Sequence, residues 1–266
     1  MKVSLNGTEL AYDDHGAGLP ILFLHAFPLN RNMCTELTGA LLNEQRFRLV
    51  TLDWRGFGES SIKALISPMQ LFADDVAALM DHLGIQKAIL CGLSMGSYVS
   101  FAFMRSYPER VHALILADTR PEADNEEGKQ NRENLALLAE SQGTDAVADT
   151  QVPKLLSQNT RQHHPEVEAR VRQMVSMATP AGIAAASRGM AQRADSSDLL
   201  AKITCPTLVV VGGHDVLTPP DLAQGFAQQI PGAQFSVIPQ SGHLSVLEQP
   251  GAFLQVTRNF LAQLGD

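Results

Sequence analysis

Ala88-Ile89-Leu90-Cys91-Gly92-Leu93-Ser94-Met95-Gly96-Ser97-Tyr98-Val99 decides how the rest of this chain is read. A strand-length apolar run ends in Gly-x-Ser-x-Gly, and a helix-length apolar segment starts at once. That is the pattern of a strand turning sharply into a helix with a serine at the corner. A serine held there points its hydroxyl away from the sheet, and the flanking glycines let strand and helix pack closely. Ser94 is then either a nucleophile or a helix N-cap, since serine is also a favoured capping residue. The pentapeptide alone does not choose between them.

Upstream, residues 3–5 and 9–13 read as a small antiparallel start. Residues 20–24 form a buried strand that runs into His25-Ala26-Phe27-Pro28. A helix is expected over 32–43 and a strand over 47–52, ending at Asp53-Trp54-Arg55-Gly56-Phe57-Gly58-Glu59-Ser60. Ser67-Pro68 opens a long helix to about Leu83, with Pro in its first turn, and Gly84 closes it. Downstream, Tyr107-Pro108-Glu109-Arg110 ends the helix that follows the serine, and a strand over 111–117 carries Asp118 at its end.

The alternation then stops. Residues 120–202 hold no convincing strand, only candidate helices over 131–142, 145–157, 166–177 and 182–193. It resumes with a strand over 206–212 and its exit loop Gly213-His214-Asp215. Thr218-Pro219-Pro220-Asp221 looks like a capped helix start, and 234–238 is a last strand followed by Ser241-Gly242-His243. Ser245-Val246-Leu247-Glu248 has capping-box spacing before a terminal helix that runs to about Leu264. Strands alternating with helices imply an α/β fold with a mainly parallel sheet covered by helices. The helical insertion belongs over the sheet edge where ligands bind. The expected division is a core of 1–119 and 203–266 with a helical cap of 120–202.

The 266 residues, 45% hydrophobic and 18% charged, suit a soluble globular α/β protein with a sizeable core. The net charge of -8 disfavours nucleic acid or an anionic membrane surface as partner. The N-terminal residues hold no apolar signal-peptide core, and no apolar run approaches membrane-spanning length. Cys34, Cys91 and Cys205 are widely spaced and make neither a disulfide framework nor a metal motif. A reduced cytoplasm is the expected setting, with the chain a monomer or homodimer.

A serine nucleophile needs a base within hydrogen-bond reach, and that base needs a carboxylate to fix its tautomer and stabilise its charged form. Asp215 and His243 lie in loops at the carboxyl ends of strands. They follow Ser94 in the chain order expected when a serine elbow tops an α/β sheet. Asp118 also follows a strand and is the rival for the acid, while a turn carboxylate is the plain alternative for Asp215. His163-His164 lacks the spacing of a metal site, and Arg55-Gly56-Phe57-Gly58 lacks that of a nucleotide fingerprint, so no cofactor or metal is expected. The acidic residues Glu122, Asp124, Glu126 and Glu127 read most simply as a solvated face.

His25 to Pro28, Asp53 to Gly58, Gly92 to Gly96, Gly213 to Asp215 and Ser241 to His243, in order and each after a strand, resemble the α/β-hydrolase superfamily over nearly the whole chain. The resemblance implies a mostly parallel eight-stranded sheet with the cap between the sixth and seventh strands. It implies Ser94 as nucleophile, His243 as general base and acid, and Asp215 as orienting carboxylate. The backbone N–H groups of Phe27 and Met95 would hold the oxyanion. Some relatives take the acid from the station of Asp118. Ala26 stands where the family usually has Gly, and His25 braces the oxyanion loop.

A serine at position 94 disfavours dehalogenase and epoxide hydrolase chemistry, which in this superfamily uses aspartate there. The expected reaction is hydrolysis of a small carboxylic ester or lactone through an acyl-enzyme. The cap stretches 165–172 and 178–182 resemble the 3-oxoadipate enol-lactonase branch, whose lactone bears a carboxylate. Arg120, Arg161, Arg172 and Arg188 are the candidates to bind that group, each equally readable as a surface arginine. Two alternatives stand beside this: a carbon–carbon bond hydrolase, which more often has Asn where this chain has Leu93, and a triad-bearing receptor with little turnover.

Overall fold

The apolar runs pair side by side much as their alternation with helices implies. The structure, a computed structural model, describes residues 1–264. Eight strands are β1 Lys2–Leu5, β2 Thr8–Gly16, β3 Leu19–Leu24, β4 Phe47–Leu52, β5 Ala88–Leu93, β6 Val111–Ala117, β7 Thr207–Gly212 and β8 Gln234–Ile238. They form one sheet in the order β1-β2-β4-β3-β5-β6-β7-β8. β1 and β2 pair antiparallel with their neighbours, and every pair from β4 to β8 is parallel. β5 and β7 are buried along their full length, while edge strand β1 alternates exposed and half-buried. Strands covered on both faces read as continuous apolar runs, which is why the central ones stand out in the sequence.

The helices that cover the sheet are α1 Thr35–Leu42, α2 Met69–His82, α3 Met95–Ser106, α9 Pro220–Ala227, α10 Ser245–Glu248 and α11 Pro250–Leu261. Between β6 and β7 come α4 Glu126–Leu155, α5 Gln158–His163, α6 Pro165–Ser176, α7 Pro180–Ala191 and α8 Ser197–Leu200. This is the strand-free stretch expected from the sequence. α4 is broken at Gly143 (φ 82°, ψ -172°), between the two helices expected over 131–142 and 145–157. α4 packs on α6 and α7. The short α5 and α8 carry too few residues to show a periodicity, and the sequence gives no sign of them.

α7 is tied down to the core. The Thr179 N–H donates to the Gly56 carbonyl (2.8 Å), and the Ser67 N–H donates to the Ala185 carbonyl (3.0 Å).

Three helix starts differ from expectation. α2 begins one residue after Pro68, which is its N-cap rather than a first-turn residue. Thr218 does not cap α9, whose N-cap is Pro219. Ser245 to Glu248 is a single turn with no side-chain cap, and α11 starts separately at Pro250. The Thr218 and Ser245 hydroxyls donate elsewhere, to Asp215 and Asp118. Among the described residues no helix is long and apolar enough to cross a membrane.

Candidate active site

At the end of β5 the chain reverses into α3 through Ser94, whose φ of 53° and ψ of -110° lie where non-glycine residues are strained. Backbone bonds hold it there: its N–H donates to the Ala117 carbonyl (2.8 Å), and the Thr119 hydroxyl donates to its carbonyl (3.2 Å). The glycines are required by contact. A Cβ on Gly92 would meet the Ser97 nitrogen at 2.6 Å, and one on Gly96 would meet the Leu24 carbonyl oxygen at 1.9 Å. Ser94 occupies the N-cap position of α3, but its side chain makes no capping bond. Its Oγ lies 2.8 Å from His243 Nε2.

His243 Nδ1 lies 2.8 Å from Asp215 Oδ2. A carboxylate oxygen only accepts, so in the neutral ring Nδ1 carries the hydrogen and Nε2 is left to accept from Ser94. Asp215 Oδ1 accepts from the N–H groups of Leu217 (2.8 Å) and Thr218 (3.0 Å), and Oδ2 accepts from the Thr218 hydroxyl (2.5 Å). Thr218 therefore serves the carboxylate instead of capping α9. Burial opposes charge on His243, but the Asp215 carboxylate and its hydrogen bond outweigh it and raise the imidazole pKa above 6.5. Burial likewise opposes the Asp215 charge. The charge on His243 and the hydrogen bonds from His243 and Thr218 prevail and hold its pKa below 3.8.

Asp118, the rival acid, is buried with its oxygens engaged elsewhere. Oδ1 accepts from the Gly212 N–H (2.8 Å) and Oδ2 from the Ser245 hydroxyl (2.5 Å). Burial, then the nearby Asp215 charge, push its carboxyl up to about 7. Asp118 joins the β7 exit to the segment just after His243. Ser245 serves this link, not a capping box.

Below the elbow, His25 is fully buried. Its Nε2 accepts from the Trp54 N–H (3.1 Å), so Nδ1 donates to the Ala26 carbonyl (2.9 Å). Desolvation lowers its pKa to about 4, so it is neutral. The Ala26 N–H points to Met33 Sδ (3.1 Å). Phe27 lines the cavity beside Ser94, and Met95 is the first residue of α3. A first-turn amide has no intrahelical acceptor and sits at the positive end of the helix dipole.

Ser94 and His243 open onto a cavity of about 480 Å³ walled by both the core and the helices after β6. Its lining includes the apolar Leu135, Leu138 and Met190, and three cationic side chains, Arg120, Arg132 and Lys154. One acidic group is present, Asp124. The expected solvated face is overturned at this residue. Asp124 is buried and receives Arg120 (3.0 Å), Arg132 (3.1 Å) and Arg193 (2.7 Å), drawn from three separate segments. Burial opposes its charge, but the arginines win and lower its pKa to about 2. The Arg193 guanidinium stacks on Tyr98 at 4.3 Å, and Tyr98 lines both this cavity and a smaller one of about 230 Å³.

Of the four arginines expected to meet a substrate carboxylate, Arg120 alone lines the cavity. Arg188 of α7 bridges Glu133 and Glu140 of α4, and Arg172 of α6 bridges Asp149 of α4 and Glu168 of its own helix. Arg161 is absent from the lining. Arg132 and Lys154 escaped the sequence reading because helical position along α4, not motif, brings them there. His214, His163 and His164 are exposed, and among the described residues no group of three or more His, Cys, Asp or Glu could hold a metal ion.

A sequence profile of the alpha/beta hydrolase fold matches residues 20–250, and the chain belongs to that family. The 3-oxoadipate enol-lactonase 1 of Acinetobacter baylyi is 29% identical over 265 residues, covering 99% of this chain and 94% of the relative. A solved thermophilic esterase from Thermogutta terrifontis, with malate bound, is 43% identical and superposes with a TM-score of 0.96 over 100% of both chains. The enol-lactonase from Burkholderia xenovorans LB400 is 27% identical, with a TM-score of 0.91 over 99% of this chain and 100% of that one.

Proposed function

We propose that this chain hydrolyses small carboxylic esters or lactones through an acyl-enzyme on Ser94. The observation that carries the proposal is the unbroken relay Ser94 Oγ to His243 Nε2 to Asp215, with both steps 2.8 Å, at the wall of the cavity. Similarity to esterases and enol-lactonases supports the same chemistry.

In this mechanism Ser94 Oγ attacks the carbonyl carbon while His243 Nε2 takes the hydroxyl proton. The imidazolium formed is stabilised by the buried Asp215 carboxylate. The tetrahedral oxyanion is held by the amides of Met95 and Phe27. Removing one such donor costs roughly 2.7–4 kcal/mol in related sites. His243 then returns its proton to the leaving oxygen, releasing the alcohol or, for a lactone, opening the ring. Water loses a proton to the same nitrogen, attacks the acyl-serine, and the acid departs as Ser94 recovers its hydrogen. No redox step or further reactant is needed.

Within that class, the cavity favours a substrate that carries a free carboxylate. Arg120, Arg132 and Lys154 face a lone acidic side chain that the arginines already neutralise. A cavity lined by one sign of charge concentrates ligands of the other. The malate held by the Thermogutta esterase is in keeping with this preference.

The test is hydrolysis of p-nitrophenyl acetate and butyrate together with a panel of lactones and mono-esters of dicarboxylic acids. Turnover by the wild-type protein and its loss in Ser94→Ala, with the circular dichroism spectrum unchanged, are expected. Full activity in Ser94→Ala would overturn the proposal, and a single burst without further turnover would favour a receptor.

A further inference from the structure

Glu248 takes no part in the relay, yet it bonds both the loop that carries His243 and the junction of α4 and α5. Its side chain is buried, with the residue 8% exposed, and among the described residues no lysine or arginine pairs with it. Oε1 accepts from the Gly242 N–H (2.8 Å), immediately before His243. Oε2 accepts from the Ser157 N–H (2.9 Å) and the Thr160 hydroxyl (2.6 Å), both at the junction of α4 and α5.

The same two segments meet again beside these bonds. The Leu244 N–H donates to the Leu155 carbonyl (3.2 Å), and Leu155 lines the catalytic cavity. A Cβ on Gly242 would come within 2.7 Å of the Ser157 nitrogen, so the two backbones are in direct contact. A carboxylate withdrawn from water without a cation depends on every donor it has. The arrangement is therefore satisfied at one spacing of cap and histidine loop, and separating them leaves a buried charge short of partners.

We propose that Glu248 is a positioning residue: it locks the cap junction at Ser157 and Thr160 to the loop carrying His243, so that seating of the cap sets the imidazole against Ser94. This rests on His243 being the catalytic base. Substrate contacts on the C-terminal turns of α4, where Lys154 and Leu155 line the cavity, are thereby linked to the reacting groups. A neutral glutamine cannot replace the carboxylate, because its NH2 would face one of three donors.

The test is kcat and KM on p-nitrophenyl butyrate for Glu248→Gln, Thr160→Val, Thr160→Ser and the double variant Glu248→Gln/Thr160→Val. Rates are taken per site titrated by a reactive phosphonate, so misfolded protein does not count. Glu248→Gln should lower kcat about tenfold, the size of loss that a small misplacement of a reacting group causes, with KM nearly constant. Thr160→Val, which touches neither Ser94 nor His243, should lower kcat by a smaller factor. Thr160→Ser should keep it, and Val should add nothing in the Glu248→Gln background. Unchanged kcat per titrated site, or fully additive losses in the double variant, would overturn the proposal. If Glu248→Gln fails to fold, the Val and Ser variants at 160 decide alone: equal kcat in the two overturns it. Failure of the hydrolase reading would look different, as wild-type protein without ester turnover.

Discussion

At the scale of single residues, the strained serine matters through what its oxygen meets. Ser94 Oγ faces His243 and makes no cap to α3, which supports the proposed nucleophile over the N-cap reading. Asp215 and Asp118 separate in the same way, since one carboxylate bonds to the imidazole and the other to Gly212 and Ser245. Asp215→Asn should cost about 10⁴ in kcat by stabilising the wrong imidazole tautomer. Asp118→Asn, which can still accept from Gly212, should cost far less, and steady-state kinetics of the two variants side by side check this. The pH dependence has a definite sign. His243 must be neutral to accept the serine proton, and its pKa lies above 6.5, held there by Asp215 against the effect of burial. kcat/KM should therefore rise with pH along a limb whose midpoint exceeds 6.5, and the midpoint should fall in Asp215→Asn. Ser94, Asp215 and His243, which lie within hydrogen-bond distance along one relay, each stand out in the sequence by a short local pattern after a strand. The pairing of Asp124 with Arg193, and of Glu248 with Ser157 and Thr160, was not legible there, because those bonds join residues far apart in sequence that only the folded chain brings together.

At the scale of elements, the elbow depends on β3 and α3 lying close enough to exclude a methyl group at Gly96. Gly96→Ala should lower stability by at least about 1–3 kcal/mol, since the nearest atom is backbone and cannot turn aside. Gly39 in α1 is the control, for nothing lies within 4 Å of a Cβ built there. Gly39→Ala should raise stability by about 0.4–1 kcal/mol, and urea unfolding of both variants gives the comparison. The central strands and long helices were legible because burial on both faces and helical periodicity leave strong marks. The start of α9 and the turn of α10 were misread, since Thr218, Ser245 and Glu248 have good capping spacing but spend their polar atoms on Asp215, Asp118 and the cap. Local propensity yielded there to tertiary hydrogen bonding.

At the scale of the whole molecule, a chain of net charge -8 walls the cavity beside Ser94 with Arg120, Arg132 and Lys154. The bulk charge and the local field thus have opposite signs, and the sequence total conceals the second. KM for a mono-ester of a dicarboxylic acid should rise with ionic strength, while KM for the matching neutral ester stays flat. Arg132→Ala and Lys154→Ala should each raise KM for the charged ester by about tenfold or more with little change in kcat, the size expected for one charge-assisted hydrogen bond. The run of helices between β6 and β7 was legible as a strand-free stretch between two sheet strands. Its inner surface was not, because which arginines face the cavity follows from how α4 and α7 pack, and Arg172 and Arg188 turn instead to neighbouring helices.

The central claim is that Ser94 forms the covalent intermediate. Its most direct test is intact mass and peptide mapping after exposure to a p-nitrophenyl alkylphosphonate, which a serine activated by its histidine attacks once and holds. The account predicts one equivalent of p-nitrophenol released per chain, one phosphonyl adduct on the peptide that contains Ser94, and no adduct in Ser94→Ala. A stoichiometric adduct at another residue, or ester turnover by wild-type protein that the reagent leaves intact, would contradict it.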